Sequence, residues 1–178
     1  MDKPIPKIIF IGMSFILKCR DIFRPRKDIL AEVGIKPNSK VLDFGCGPGS
    51  YIIHISKAVG ENGKVYALDI HPLAIKKVKS TISKFNLINV ETICSDCATS
   101  LPDKAIDTIL LYDIFHMLRN KMKVLTELHR VLKDDGILSF SDHHMSEKNI
   151  MSEMNASNLF ELRKKNRRTY SFSKLLQA

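Results

Sequence analysis

The chain has 178 residues, with 28 lysines and arginines against 19 aspartates and glutamates and a formal net charge of +9. At 44% hydrophobic and 26% charged residues it is composed like an ordinary globular protein, which excludes a disordered or fibrous chain. Its length suits one domain over residues 1–178 with a full core and leaves little room for a second.

The run Ile8 to Leu17 is apolar apart from Gly12 and Ser14 and follows Lys3 and Lys7. It lacks a small-residue cleavage site and continues into Lys18, Cys19, Arg20 and Asp21, so it reads as an amphipathic helix packed on the domain and not as a signal peptide. It is also too short to span a bilayer. Arg24-Pro25 opens a short helix that Gly34 ends. The strand Val41 to Phe44 follows, then a helix over Tyr51 to Val59, the strand Val65 to Asp69, and a helix starting at His71-Pro72 with Ile75, Val78, Ile82 and Phe85 on one face. Val90 to Cys94 is the third strand. Ile106 to Tyr112 is nearly all apolar, as a central strand covered on both faces must be. Val124, Leu125, Leu128, Val131 and Leu132 mark the next helix, and Lys133 to Gly136 is read as a turn into the strand Ile137 to Asp142. A polar helix near Ser146 to Asn155 precedes a hairpin whose strands, Leu159 to Leu162 and Thr169 to Phe172, flank a basic turn. Alternating strands and helices predict an α/β fold with a mainly parallel sheet.

Cys19, Cys46, Cys94 and Cys97 are too few for a disulfide scaffold, and Cys94-Ser-Asp-Cys97 has no second pair to complete a zinc site. A reducing, cytoplasmic setting without a metal centre is expected.

Chemistry is concentrated in Asp43-Phe-Gly45-Cys46-Gly47-Pro-Gly49-Ser50, between a strand and a helix. Its glycines allow a sharp turn and let a ligand reach the backbone. Asp69, 24 residues beyond Gly45 at the end of the next strand, can accept from the hydroxyls of a ribose. A dinucleotide site wants Gly-x-Gly-x-x-Gly, whereas the sixth position here is Ser50. Asp43 would repel a pyrophosphate yet suits an ammonium. S-adenosylmethionine (SAM) is therefore favoured over NAD.

The segment 41–49 resembles the glycine-rich motif of the class I SAM-dependent methyltransferases. Ordered matches follow at 65–70, at 94–97 and at 127–136, the last resembling the subgroup that includes ubiquinone and menaquinone C-methylases. The resemblance implies a Rossmann-like, doubly wound sheet of seven strands in the order 3-2-1-4-5-7-6, strand 7 antiparallel, with the N-terminal helices of 1–36 as a lid on a core of 37–178. It further implies that Gly45, Cys46 and Gly47 cradle the methionine part, Asp43 sits near its amino group and Asp69 holds the ribose. Ile70 would pack on adenine, Asp96 and the Cys97 backbone would meet its edge, and the Tyr112 carbonyl would receive the ammonium.

Methyl transfer needs alignment in a dry pocket, and a base only where the acceptor loses a proton. The candidates beyond the fourth and fifth strands are His116, Asp113 and His143, with Asp142 and His144 beside them. The Asp/Asn-Pro-Pro-aromatic signature of amino-directed nucleic-acid enzymes is missing after Tyr112, so a small-molecule acceptor leads. An RNA methyltransferase using the basic ends, and a non-catalytic SAM- or NAD-binding module, are the alternatives. The charge motivates the first of these: nine basic and four acidic residues in 1–40, thirteen and fourteen in 41–159, six and one in 160–178. If both basic ends meet above the pocket, an anionic acceptor, RNA or an acidic membrane surface is accommodated there.

Overall fold

A computed structural model describes residues 4–23 and 26–176, with the side chains of 17–23 left aside. Lys3 and the predicted helix start at Arg24-Pro25 fall outside the described residues. The chain runs α1 (Lys7–Phe23), α2 (Arg26–Val33), β1 (Lys40–Phe44), α3 (Ile52–Val59), β2 (Lys64–Asp69), α4 (Pro72–Phe85), β3 (Val90–Cys94) and β4 (Ile106–Tyr112). It continues through a 3-10 turn (Phe115–Met117), α5 (Lys121–Val131), β5 (Leu132–Ser141), α6 (Glu147–Ser157), β6 (Phe160–Lys165) and β7 (Tyr170–Lys174). These strands form one seven-stranded sheet in the order β3-β2-β1-β4-β5-β7-β6. The first five are parallel, and β7 runs antiparallel to both β5 and β6. Fold and strand order are those expected.

Both faces of the sheet are covered because successive residues point to opposite sides. Val41 and Leu110 pack with Ile52, Ile55 and Val59 of α3 and with Ile29 and Leu30 of α2. Leu42, Ile109 and Leu111 pack on the other side with Leu125 and Leu128 of α5 and Ile150 and Met154 of α6. Asn89, itself buried, closes the lower edge by donating to the carbonyls of Ser56 and Gly60 while its oxygen accepts from the Ser56 hydroxyl.

One expectation changes. Strand β5 begins at Leu132, directly after α5, and the residues read as a turn lie within it as an irregularity: Ile106 pairs with Leu132, but Thr108 pairs with Ile137. Turn chemistry at Asp134-Asp135-Gly136 signals a reversal, but here the extra residues are absorbed as a bulge so tight that a Cβ on Gly136 would come within 2.7 Å of the Leu132 side chain. Helix α1 packs only one face on the domain. Phe10 and Ser14 are buried, whereas Ile8, Ile9, Ile11, Phe15 and Ile16 are exposed. No described helix is long and apolar enough to cross a membrane.

Candidate active site

The loop after β1 is anchored to its neighbour by two bonds, the Gly45 and Cys46 amides both donating to the Leu68 carbonyl at 2.8 and 2.9 Å. Gly45, Gly47 and Gly49 all have positive φ, at 78°, 52° and 87°. A Cβ on Gly45 would press on Ile114 at 3.1 Å, while one on Gly47 would meet nothing within 4 Å. Gly47 thus faces open space, and only backbone conformation and the incoming ligand demand glycine there.

That space is a cavity of about 400 Å³ above the C-terminal ends of β1, β2 and β4. Of the expected binding residues, Asp43, Gly45, Cys46, Gly47, Asp69, Ile70 and Tyr112 line it, joined by Asp113, His116 and His143. Asp96 and Cys97 do not. Asp96 is exposed and pairs with Lys123 at 3.4 Å, and the buried Cys97 sulfur meets the Lys123 carbonyl.

Two carboxylates dominate the floor. Asp43 is buried, and its Oδ2 makes no hydrogen bond among the described residues. Burial, and then the charge of Asp69, push its pKa up to about 7. Asp69 is also raised, chiefly by burial, but is held in place by amides: Oδ2 accepts from Gly47 at 2.8 Å and Oδ1 from His71 at 2.7 Å. Among the described residues, no lysine or arginine lines the cavity. Burial and the nearby carboxylates push the Cys46 thiol well above its ordinary range, so it is no nucleophile. The Tyr112 hydroxyl, raised by burial, is paired with the Ser139 hydroxyl at 2.7 Å.

The roof is α1 and the segment before it, which contribute Ile5, Phe10 and Met13. Their tie is His71, whose role the sequence did not announce. Its Nδ1 accepts from the Leu73 amide and caps α4, leaving the protonated Nε2 to donate to the Ile5 carbonyl at 3.0 Å. Phe10 stacks on the same ring at 4.2 Å.

Opposite lies a histidine cluster. The His116 amide and Nδ1 both donate to the buried Asp142, the ring nitrogen at 2.9 Å, which leaves Nε2 with a lone pair. His143 Nδ1 pairs with Asp113 at 2.7 Å, and the His144 ring lies 4.4 Å from His116 and 3.9 Å from His143. Asp113 reaches this position from a left-handed φ of 55°, a conformation that aspartate tolerates better than most residues. No group of three or more metal-ligating side chains suited to a metal ion occurs among the described residues.

Sheet order, glycine loop and acidic strand end together define the Rossmann-like methyltransferase fold. The chain belongs to the methyltransferase-domain family, whose model matches residues 35–174. It is 30% identical over 126 residues to a demethylmenaquinone methyltransferase of Geobacillus stearothermophilus, covering 70% of this chain and 54% of the relative. A trans-aconitate 2-methyltransferase of Rhizobium rhizogenes is 28% identical over 137 residues, covering 76% and 51%. The chain spans about half the length of these curated relatives. A solved SAM-dependent methyltransferase from Aquifex aeolicus superposes with a TM-score of 0.73 at 27% identity, covering 85% of this chain and 90% of its own. A solved structure from Methanococcus maripaludis, at 17% identity and a TM-score of 0.80 over 100% of this chain and 99% of its own, shares the fold.

Proposed function

We propose that the chain is a SAM-dependent methyltransferase with a small-molecule acceptor. The carrying observation is the pair Asp43 and Asp69, two buried carboxylates on one cavity that no described lysine or arginine lines. Mutual repulsion there is relieved by a ligand bringing fixed positive charge. The residues fit SAM: the unbonded Asp43 Oδ2 suits its ammonium, and the open face of Gly47 leaves room for its methionine part. When bound, SAM supplies a methyl group on a sulfonium centre for in-line displacement by the acceptor.

Gly45, Cys46 and Gly47 offer backbone to the methionine part, and the Tyr112 carbonyl joins Asp43 at the ammonium. Each Asp69 oxygen keeps a lone pair for a ribose hydroxyl beyond the amide it already accepts. Ile70 packs on adenine. Asp96 and Cys97 meet the adenine edge only once Lys123 releases Asp96. Phe10 and Met13, in the N-terminal lid of 1–36 over the core of 37–178, keep water from the reacting atoms. His116, oriented by Asp142, removes a proton from the acceptor, and the Asp113–His143 pair flanks the same opening.

Two relatives are named for demethylmenaquinone and trans-aconitate, both small organic molecules, and we extend that acceptor class to this chain. A reducing, cytoplasmic setting fits Cys46, Cys94 and Cys97, all free thiols.

Calorimetry on the full chain tests the assignment. SAM and S-adenosylhomocysteine (SAH) should both bind, and Gly47→Val should lose both while keeping the circular dichroism of the fold. Absence of binding by the parent chain, or thermal protection by NAD with none by SAM, overturns it.

A further inference from the structure

Beside the first cavity lies a second, of about 480 Å³, and the two are joined by Tyr51, Asp113 and His143, which line both. Its wall carries three arginines from distant parts of the chain: Arg26 at the start of α2, and Arg167 and Arg168 from the β6–β7 turn. The carboxylates on that wall are already engaged. Asp142 accepts from His116 and from the His144 amide, and Asp113 from His143. Arg26 is only 4% exposed, with Nη1 donating to the Tyr51 hydroxyl at 2.9 Å. The Nη1 of Arg168 is buried and makes no hydrogen bond among the described residues.

A guanidinium cannot shed its charge in a protein, so burial cannot be relieved by deprotonation as it can for lysine. An unmet buried guanidinium donor costs stability until an acceptor, best an anionic one, reaches it. The arginines are also held in advance. Glu32 of α2 accepts from the Arg168 amide, the Thr169 amide and the Thr169 hydroxyl at 3.0 to 3.1 Å, pinning the hairpin turn against the helix that starts with Arg26.

We infer that this second cavity binds the anionic group of the methyl acceptor, a carboxylate or a phosphate, between Arg26 and Arg168 with Arg167 at the rim. Such an anchor leaves the rest of the acceptor pointing through the junction at Tyr51, Asp113 and His143 toward the first cavity and His116. The inference rests on the methyltransferase reading for the word acceptor; the anion site stands on its own geometry.

The test titrates SAH into the full chain and then citrate and, separately, inorganic phosphate into the chain with and without SAH, at low salt. One or both should bind, and the better of the two tells carboxylate from phosphate. Arg168→Gln should weaken that binding about thirtyfold with SAH affinity unchanged, because the bonds to Glu32 come from backbone and Thr169 and survive the change. Arg163→Gln, on β6 and outside the cavity lining, should leave anion binding as it was. If Arg168→Gln also loses SAH and so has not folded, Arg167→Gln takes its place with a smaller loss. The inference falls if SAH binds and neither anion does, or if Arg163→Gln weakens the anion as much as the cavity variant. Anion binding without SAH binding upholds the site and removes the methyltransferase reading.

Discussion

A carboxyl group held at about 7, as Asp43 is by burial and by Asp69, stands half-ionised near neutrality. Its folded value lies above its unfolded value, so its stabilising contribution is complete below the ordinary carboxylate range and is lost as pH rises through about 7. A cation reverses the preference by favouring the anion. Two outcomes follow at this one residue. Affinity for SAM should rise with pH through the neutral range and level off above it, as read by calorimetry. Asp43→Asn should raise the melting temperature of the unliganded protein at pH 8, by on the order of 2 kcal/mol of stability, while weakening SAM binding; an unchanged melting temperature there contradicts the assigned ionisation. His116 makes a different prediction. His116→Ala should lower labelled methyl transfer into a cell extract about 10²–10⁴-fold with SAH affinity intact, and Asp142→Asn, which weakens the hold on the His116 ring, should lower it too. Equal activity in His116→Ala would leave the dyad without a role. Asp43, Gly47 and Asp69 could be read from sequence because a strand, a loop and the next strand set their spacing. His71 could not: its neighbours Phe10 and Ile5 come from across the chain, and a histidine before Pro72 signals only a helix cap.

At the scale of elements, the informative contact is α2 against the β6–β7 turn. Glu32→Ala removes the acceptor for three donors, two of them backbone amides. It should destabilise the protein by about 1–3 kcal/mol, measured by urea denaturation, and loosen the turn in hydrogen exchange at residues 166–169 before the rest of the sheet. Uniform exchange across the sheet would show that the turn is held by something else. Helix α1 shows where periodicity fails. Its residues 8–16 are apolar on nearly every side, so the sequence supported an amphipathic helix packed on the domain without a stripe to tell the face that packs, Phe10 and Ser14, from the face left outward. The start of β5 was hidden for another reason: Asp-Asp-Gly chemistry is the same for a turn and for a bulge, and only the pairing partner across the sheet decides.

For the whole molecule, the alternation of strands and helices made an α/β fold with a mainly parallel sheet legible, whereas the strand order came from the resemblance of the glycine loop and its ordered companions to a known family. The charge distribution was half legible. Two basic ends could be counted, but their meeting depends on a contact between residues 136 positions apart, Glu32 and Arg168, which no local pattern encodes. That meeting turns a bulk excess of charge into a lined cavity.

The placement of β7 bears on how the protein is made. It inserts between β5 and β6, so β6 has no strand partner and β5 keeps an open edge until residues 170–174 have been synthesised. A ribosome-bound chain therefore holds the five parallel strands and the glycine loop well before it owns a finished arginine wall. Nascent protein should gain its nucleoside site first and its anion site last, and the late edge of β5 is where a stalled chain is most exposed to pairing with another.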